Sequence, residues 1–87
     1  MVHFWRLYGT LGCHLCEQAL AIVDQLKAQF PIELERVDIA SSQSLVERLG
    51  HRIPVLENIA SAQTLDWPFD PQILTDWLHE SSQTSAD

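Results

Sequence analysis

The chain has 87 residues, 46% of them hydrophobic and 20% charged, a composition that fits one small globular domain and excludes disorder and low-complexity repeats. Five Lys and Arg face twelve Asp and Glu, for a formal net charge of -7. The cations Arg6, Lys27, Arg36, Arg48 and Arg52 are scattered, which excludes the clustered basic surface that nucleic acid or an anionic membrane requires.

Residues 3–8 (HFWRLY) form a short aromatic-rich run that predicts a strand. Gly9-Thr10-Leu11-Gly12 places two glycines in four residues, which predicts a loop. Over residues 15–30 the apolar positions recur at helical spacing, and Pro31 disfavours helical geometry in Phe30, so a helix is expected to stop there. Residues 32–39 (IELERVDI) read as a second strand. Ser44, or a serine one or two residues earlier, would cap a short helix through Leu49, with Gly50 as its stop.

A third strand is expected over residues 53–59, where Pro54 must sit at a strand start or an edge. A weaker fourth strand is expected over 62–66, after a turn at 59–61. Asp70-Pro71 is a helix start, a capping side chain followed by Pro at the first helical position. Ile73, Leu74, Trp77 and Leu78 continue it at helical spacing. From Glu80 the chain turns polar. The order is β-α-β-α-β-β-α, an α/β class with a four-stranded mixed sheet and helices on both faces. Residues 1–80 are expected to form the domain and 81–87 a polar, disordered tail.

Residues 1–8 lack a signal-peptide pattern, and no apolar run reaches transmembrane length, so a cytoplasmic protein without membrane contact is expected. In a reducing compartment a close pair of cysteines is more often catalytic or metal-binding than structural. Cys13 and Cys16 are such a pair, spaced i, i+3 at the start of the first helix. That spacing puts both on one side of a turn. Cys13 falls where unpaired backbone N–H groups and the helix dipole stabilise a thiolate. Cys16 falls on the apolar stripe. The division expected is that Cys13 attacks and Cys16 resolves the mixed disulfide.

A metal site and an inert pair are the alternatives. His3, His51 and His79 are too dispersed to suggest the further ligands a tetrahedral site needs, so no metal is expected. His14, between the cysteines, would favour the Cys13 thiolate when cationic or would be a solvated helix-start residue. Tyr8 reads as a core aromatic or as a border of the site. Trp5 and Trp77 read as core, and Asp38 as a solvated or capping residue at a strand end.

The segment Tyr8-Gly9-Thr10-Leu11-Gly12-Cys13-His14-Leu15-Cys16-Glu17 resembles the active-site segment of glutaredoxin-like proteins of the thioredoxin fold. Val37-Asp38-Ile39 resembles their second strand, and Arg52-Ile53-Pro54-Val55-Leu56 their proline loop. Leu65-Asp66-Trp67-Pro68-Phe69-Asp70, with Trp77-Leu78, is similar to the ending of small bacterial members. The resemblance spans about residues 3–79. It implies a thioredoxin-like fold, a redox pair at Cys13 and Cys16, and a cis Pro54 facing that pair, with the Ile53 backbone free to pair with a bound thiol peptide.

Three departures stand out. His14 and Leu15 replace the Pro and aromatic residue usual between the cysteines. No basic residue precedes Cys13 in the loop, which leaves Arg52 as the candidate for a substrate carboxylate or as a surface arginine. Asp66-Trp67-Pro68-Phe69-Asp70 replaces the Gly-Gly pair through which relatives approach glutathione closely, so weak or absent glutathione affinity is expected.

The functional expectation is a monomeric thiol–disulfide oxidoreductase acting in cell redox homeostasis. Cys13 and Cys16 are the catalytic residues, and His14, Tyr8, Arg52, Ile53 and Pro54 border the substrate thiol. No bound cofactor is needed. Its partners are a protein or small-molecule disulfide and an upstream thiol reductant, glutathione or another. The alternatives are a zinc or copper site on the two thiolates and a non-catalytic docking module.

Overall fold

Alternation decides the first strand. In the computed structural model, which describes residues 2–83, β1 spans His3–Gly9, with Trp5, Leu7 and Gly9 buried and the residues between them more exposed. Successive strand residues face opposite sides, so β1 divides the molecule into two packed layers. A loop leads to α1, His14–Lys27, which buries Cys16, Ala19, Val23 and Leu26 along one stripe. The helix ends before Phe30, shorter than the periodicity predicts. Phe30 N–H still reaches Leu26 O at 2.8 Å, and Pro31 O then accepts from His3 N–H at 2.8 Å. Pro31 therefore ends the helix and opens the pairing of the next strand.

That strand, β2, spans Ile32–Asp38. It runs parallel to β1 in a register from His3 opposite Ile32 to Gly9 opposite Asp38. Asp38 caps a 3-10 turn, Ile39–Ser41, its Oδ1 accepting from Ala40 N–H at 2.9 Å. The Ser42 hydroxyl caps α2, Gln43–Leu49. β3, Val55–Asn58, pairs antiparallel with β1, and β4, Thr64–Asp66, antiparallel with β3. The sheet order is β2-β1-β3-β4. Asp70 Oδ1 accepts from Ile73 N–H at 2.8 Å and starts α3, Pro71–Gln83.

Both faces of the sheet carry a core. The larger joins Trp5, Leu7 and Leu56 to Ala19 and Val23 of α1 and to Leu74, Trp77 and Leu78 of α3. Trp5 and Trp77 meet edge to face at 4.9 Å between ring centroids. The smaller core, on the face covered by α2, holds Ile39, Leu49 and Val55, with Tyr8, Leu45 and Ile53 against them. Mixed sheet and helix placement are those of the thioredoxin-like fold.

The expected tail boundary is corrected. Residues 81–83 belong to α3, and Ser81 is fully buried. Its Oγ lies 3.0 Å from Asn58 Nδ2, also buried, which donates to it. A polar run reads as a solvated tail, but a small hydroxyl opposite a buried amide is a core contact. Residues 84–87 of the expected tail lie outside the described residues. No helix among the described residues is long and apolar enough to cross a membrane.

Candidate functional site

The loop between β1 and α1 is shaped by glycine. Gly12 has φ +77°, a left-handed conformation that side chains disfavour. It delivers Cys13 to the N-cap of α1 in extended geometry, φ -87° and ψ 106°. Cys13 Sγ accepts from Cys16 N–H at 3.1 Å, and Cys13 O accepts from Glu17 N–H at 3.2 Å. Sulfur thus takes the place that a serine or aspartate oxygen usually fills at a helix start. Cys13 and Cys16 form a disulfide, with Cα atoms 5.2 Å apart, inside the range such bonds require. Cys16 is 6% exposed and Cys13 partly exposed.

Gly9 supports the pair from below. A Cβ on Gly9 would stand 2.8 Å from Cys16 Sγ and 3.2 Å from Cys16 Cβ. The strand therefore passes the disulfide too closely for any side chain. A cavity of about 300 Å³ opens between this loop, the start of α1 and the end of β2. Cys16, Glu17, Arg36 and Asp38 are among its walls.

The other expected site residues fall in several places. His14 is exposed on the first turn of α1, and Leu15, also between the cysteines, is 45% exposed. Leu11 at the loop tip is 87% exposed. Leu11 and Leu15 thus present exposed apolar side chains on either side of Cys13 in the chain. Register brings the proline loop to the same end of the sheet, because Val55 lies opposite Tyr8 and Asp66 opposite Val55. Pro54 is buried, its carbonyl accepting from Trp67 N–H at 3.2 Å, and both Ile53–Pro54 and Trp67–Pro68 are cis.

The Ile53 backbone is not wholly free, which corrects the expectation drawn from the resemblance. Its N–H donates to Leu49 O at 3.1 Å, closing the end of α2. Arg52 is also committed. Its Nε and Nη2 grip Asp66 Oδ2 and Oδ1 at 2.9 and 2.7 Å, the two-pronged geometry by which a guanidinium holds a carboxylate. The hydrogen bonds from Arg52, ahead of its charge, hold the Asp66 carboxyl below its ordinary value.

Tyr8 joins the second core, and its hydroxyl donates to Glu57 Oε1 at 2.7 Å. Arg6 Nη1 donates to the same hydroxyl at 3.4 Å, and Arg6 Nε to Glu35 Oε1 at 2.7 Å. A polar ladder thus crosses β2, β1 and β3 on the face of the sheet that carries α2. Burial, with Glu57 adding and Arg6 opposing, holds the Tyr8 phenol above its ordinary value. The hydroxyl is spent within this ladder, so the reading of Tyr8 as a packed strand aromatic describes its contacts.

Trp67 and Phe69 meet edge to face at 5.0 Å between ring centroids. Phe69 is buried in the main core, with Trp67 half-buried against it. This segment packs inward. Among the described residues, no group of three or more His, Cys, Asp and Glu side chains could hold a metal ion.

Sequence reasoning missed the cavity and the partner of Arg52. Both arise from strand register. Neither the Gly9–Asp38 pairing that shapes one nor the Val55–Asp66 pairing that shapes the other is visible in local sequence. The close pass of Gly9 had one signal, a glycine where the strand pattern calls for a buried side chain.

A β-α-β-α-β-β-α sheet protein with a disulfide capping its first helix is a thioredoxin-fold protein of the glutaredoxin-like kind. The family described as Glutaredoxin-like domain (DUF836) matches residues 6–79, and the chain belongs to it. The solved structures similar to it include two from different organisms. One is the X-ray structure of protein XcR50 from X. campestris, 36% identical, covering 87% of this chain and 96% of that one, with a TM-score of 0.78. The other is the solution NMR structure of protein Ne2328 from Nitrosomonas europaea, 28% identical, covering 86% and 89%, with a TM-score of 0.76. No curated protein matches the chain.

Proposed function

We propose that the protein is a thiol–disulfide oxidoreductase that works through Cys13 and Cys16. One observation carries this reading: Cys13 caps α1, with its sulfur against the backbone N–H of Cys16 at 3.1 Å. In the reduced protein that position stabilises a thiolate through the N–H groups and dipole of the helix end. The Cys13 thiolate attacks one sulfur of a substrate disulfide. A mixed disulfide forms and one substrate thiolate leaves. Cys16, deprotonated, then attacks Cys13 Sγ. The second substrate thiolate leaves and the protein disulfide closes, so two electrons pass from protein to substrate.

The protein needs no bound cofactor in this cycle, because electrons return as thiols from an upstream reductant in a reducing compartment. The substrate is a protein or small-molecule disulfide. Arg52, held by Asp66, disfavours an anionic ligand such as glutathione on the proline-loop side.

The test is the midpoint potential of the pair, read in graded thiol/disulfide buffers by alkylation and mass. A reversible two-electron midpoint between about -170 and -280 mV, the range spanned by known cytosolic oxidoreductases, is expected. Cys13→Ser should abolish turnover, and Cys16→Ser should accumulate mixed disulfides on Cys13. Full turnover by Cys13→Ser would end this reading.

A further inference from the structure

The proline loop stands beside the disulfide. Tyr8 pairs with Val55, so Gly9 and Pro54 adjoin where β1 ends and β3 begins, and Gly9 lies against Cys16 Sγ. Groups beside a substrate sulfur on Cys13 can meet this end of the sheet. The charged side chain that the proline loop offers them is Arg52, just ahead of Ile53 and Pro54.

Arg52 is fixed at both ends. Its backbone N–H donates to Leu49 O at 2.8 Å, where α2 stops. Its guanidinium donates to both carboxylate oxygens of Asp66, at 2.9 and 2.7 Å. Asp66 is the last residue of β4 and lies opposite Val55. The residue after it, Trp67, donates its N–H to Pro54 O at 3.2 Å. The ion pair thus closes a clasp from the end of α2, across the proline loop, to the end of β4. Its two side chains are 42% and 47% exposed, so the clasp lies on a surface that an incoming ligand meets. The guanidinium edge that would grip a ligand carboxylate is filled. The charge of Arg52 is also offset by a partner at contact, so a ligand anion gains little from it and is repelled by Asp66. The net charge of -7 adds to that repulsion.

We propose that Asp66 is a specificity-determining residue. By occupying Arg52 it turns away disulfides that carry a carboxylate near the sulfur, and the substrates are disulfides flanked by uncharged or cationic groups. The inference rests on the redox reading above and narrows its substrate class. The exchange itself is unchanged. The Cys13 thiolate attacks one substrate sulfur, and a substrate thiolate leaves with the bonding pair. Cys16 then closes the protein disulfide and releases the second thiolate, so two electrons reach the substrate. Asp66 takes no part in these bonds. It acts through Arg52, on how favourably the groups beside the substrate sulfur are met. Discrimination of this kind works by refusing the wrong ligand and needs no added contact to the right one.

The experiment mixes reduced protein with two aliphatic disulfides of similar size, the uncharged hydroxyethyl disulfide and the dianionic dithiodipropionate. Loss of free thiol is followed by timed alkylation and mass. The ratio of the dithiodipropionate to the hydroxyethyl disulfide rate constant is compared between the parent, Asp66→Asn, Arg52→Gln and the double variant. Comparison between proteins cancels the intrinsic reactivity of each disulfide. Asp66→Asn keeps the size of the side chain and removes its charge. It should raise the ratio about two- to five-fold, the scale of one exposed ion pair. With Gln at position 52 the same substitution should raise it less, because no guanidinium is released. An unchanged ratio in Asp66→Asn overturns the proposal. An equal rise with and without Arg52 also overturns it, since Asp66 would then act by its charge alone. Hydroxyethyl disulfide separates the two failures. A parent protein that it oxidises at Cys13 and Cys16, yet without an Arg52-dependent effect of Asp66, loses only this inference. A parent protein that neither disulfide oxidises loses the redox reading and this one with it.

Discussion

Gly9→Ala tests how the disulfide is held. The new Cβ would lie 2.8 Å from Cys16 Sγ and 3.2 Å from Cys16 Cβ, inside van der Waals contact on both. In the oxidised protein Cys16 Sγ is bonded to Cys13 and cannot turn away. In the dithiol form its side chain is free to change rotamer. Overpacking of this kind costs about 1–3 kcal/mol, and the cost falls mainly on the oxidised state. Destabilising the oxidised state raises the potential. At about 30 mV per 1.4 kcal/mol for a two-electron couple, the midpoint should move up by about 20–65 mV if the strain falls wholly there. The assay is the thiol-buffer titration, run beside thermal melts of both redox forms. An unchanged midpoint, with equal loss of Tm in both forms, would refute the argument that the sulfur is pinned against Gly9.

Ser81→Ala removes the partner of a buried amide and should destabilise the fold by about 1–3 kcal/mol. In a domain of this size that lowers Tm by roughly 4–8 °C per kcal/mol; a melt within error of the parent would restore residue 81 to the tail. Asp66→Asn removes the carboxylate that grips Arg52. Asp66 has its folded-state pKa lowered, so its contribution is present above the unfolded value and is lost as pH falls through the folded one. The parent should exceed the variant in stability by less than about 1 kcal/mol near pH 7, both groups being exposed. That gap should close as pH drops below about 4, and a gap that widens in acid by urea melts would contradict the assignment.

The order of elements was legible because each has a local cause. Strand runs alternate, the helices carry apolar stripes, and Ser42, Asp70 and Pro71 mark helix starts that the structure keeps. The position of Cys13 at a helix start was legible for the same reason, since Gly12 and the stripe from Cys16 onward bracket it. Helix ends were less so. Phe30 fits the apolar period but lies outside α1, because Pro31 acts on its backbone and not on its hydrophobicity. At Ser81 the error ran the other way. Local polarity suggested solvent, and a long-range partner, Asn58, decided burial.

The fate of Arg52 shows what a sequence pattern leaves open at a binding site. Its place before Pro54 suggests a cation for a substrate carboxylate, and nothing local contradicts that. Asp66 is fourteen residues away, and only the pairing of β3 with β4, which sets it opposite Val55, brings it within reach. An external carboxylate at Arg52 must displace an internal one held by two hydrogen bonds at the tips of the same fork.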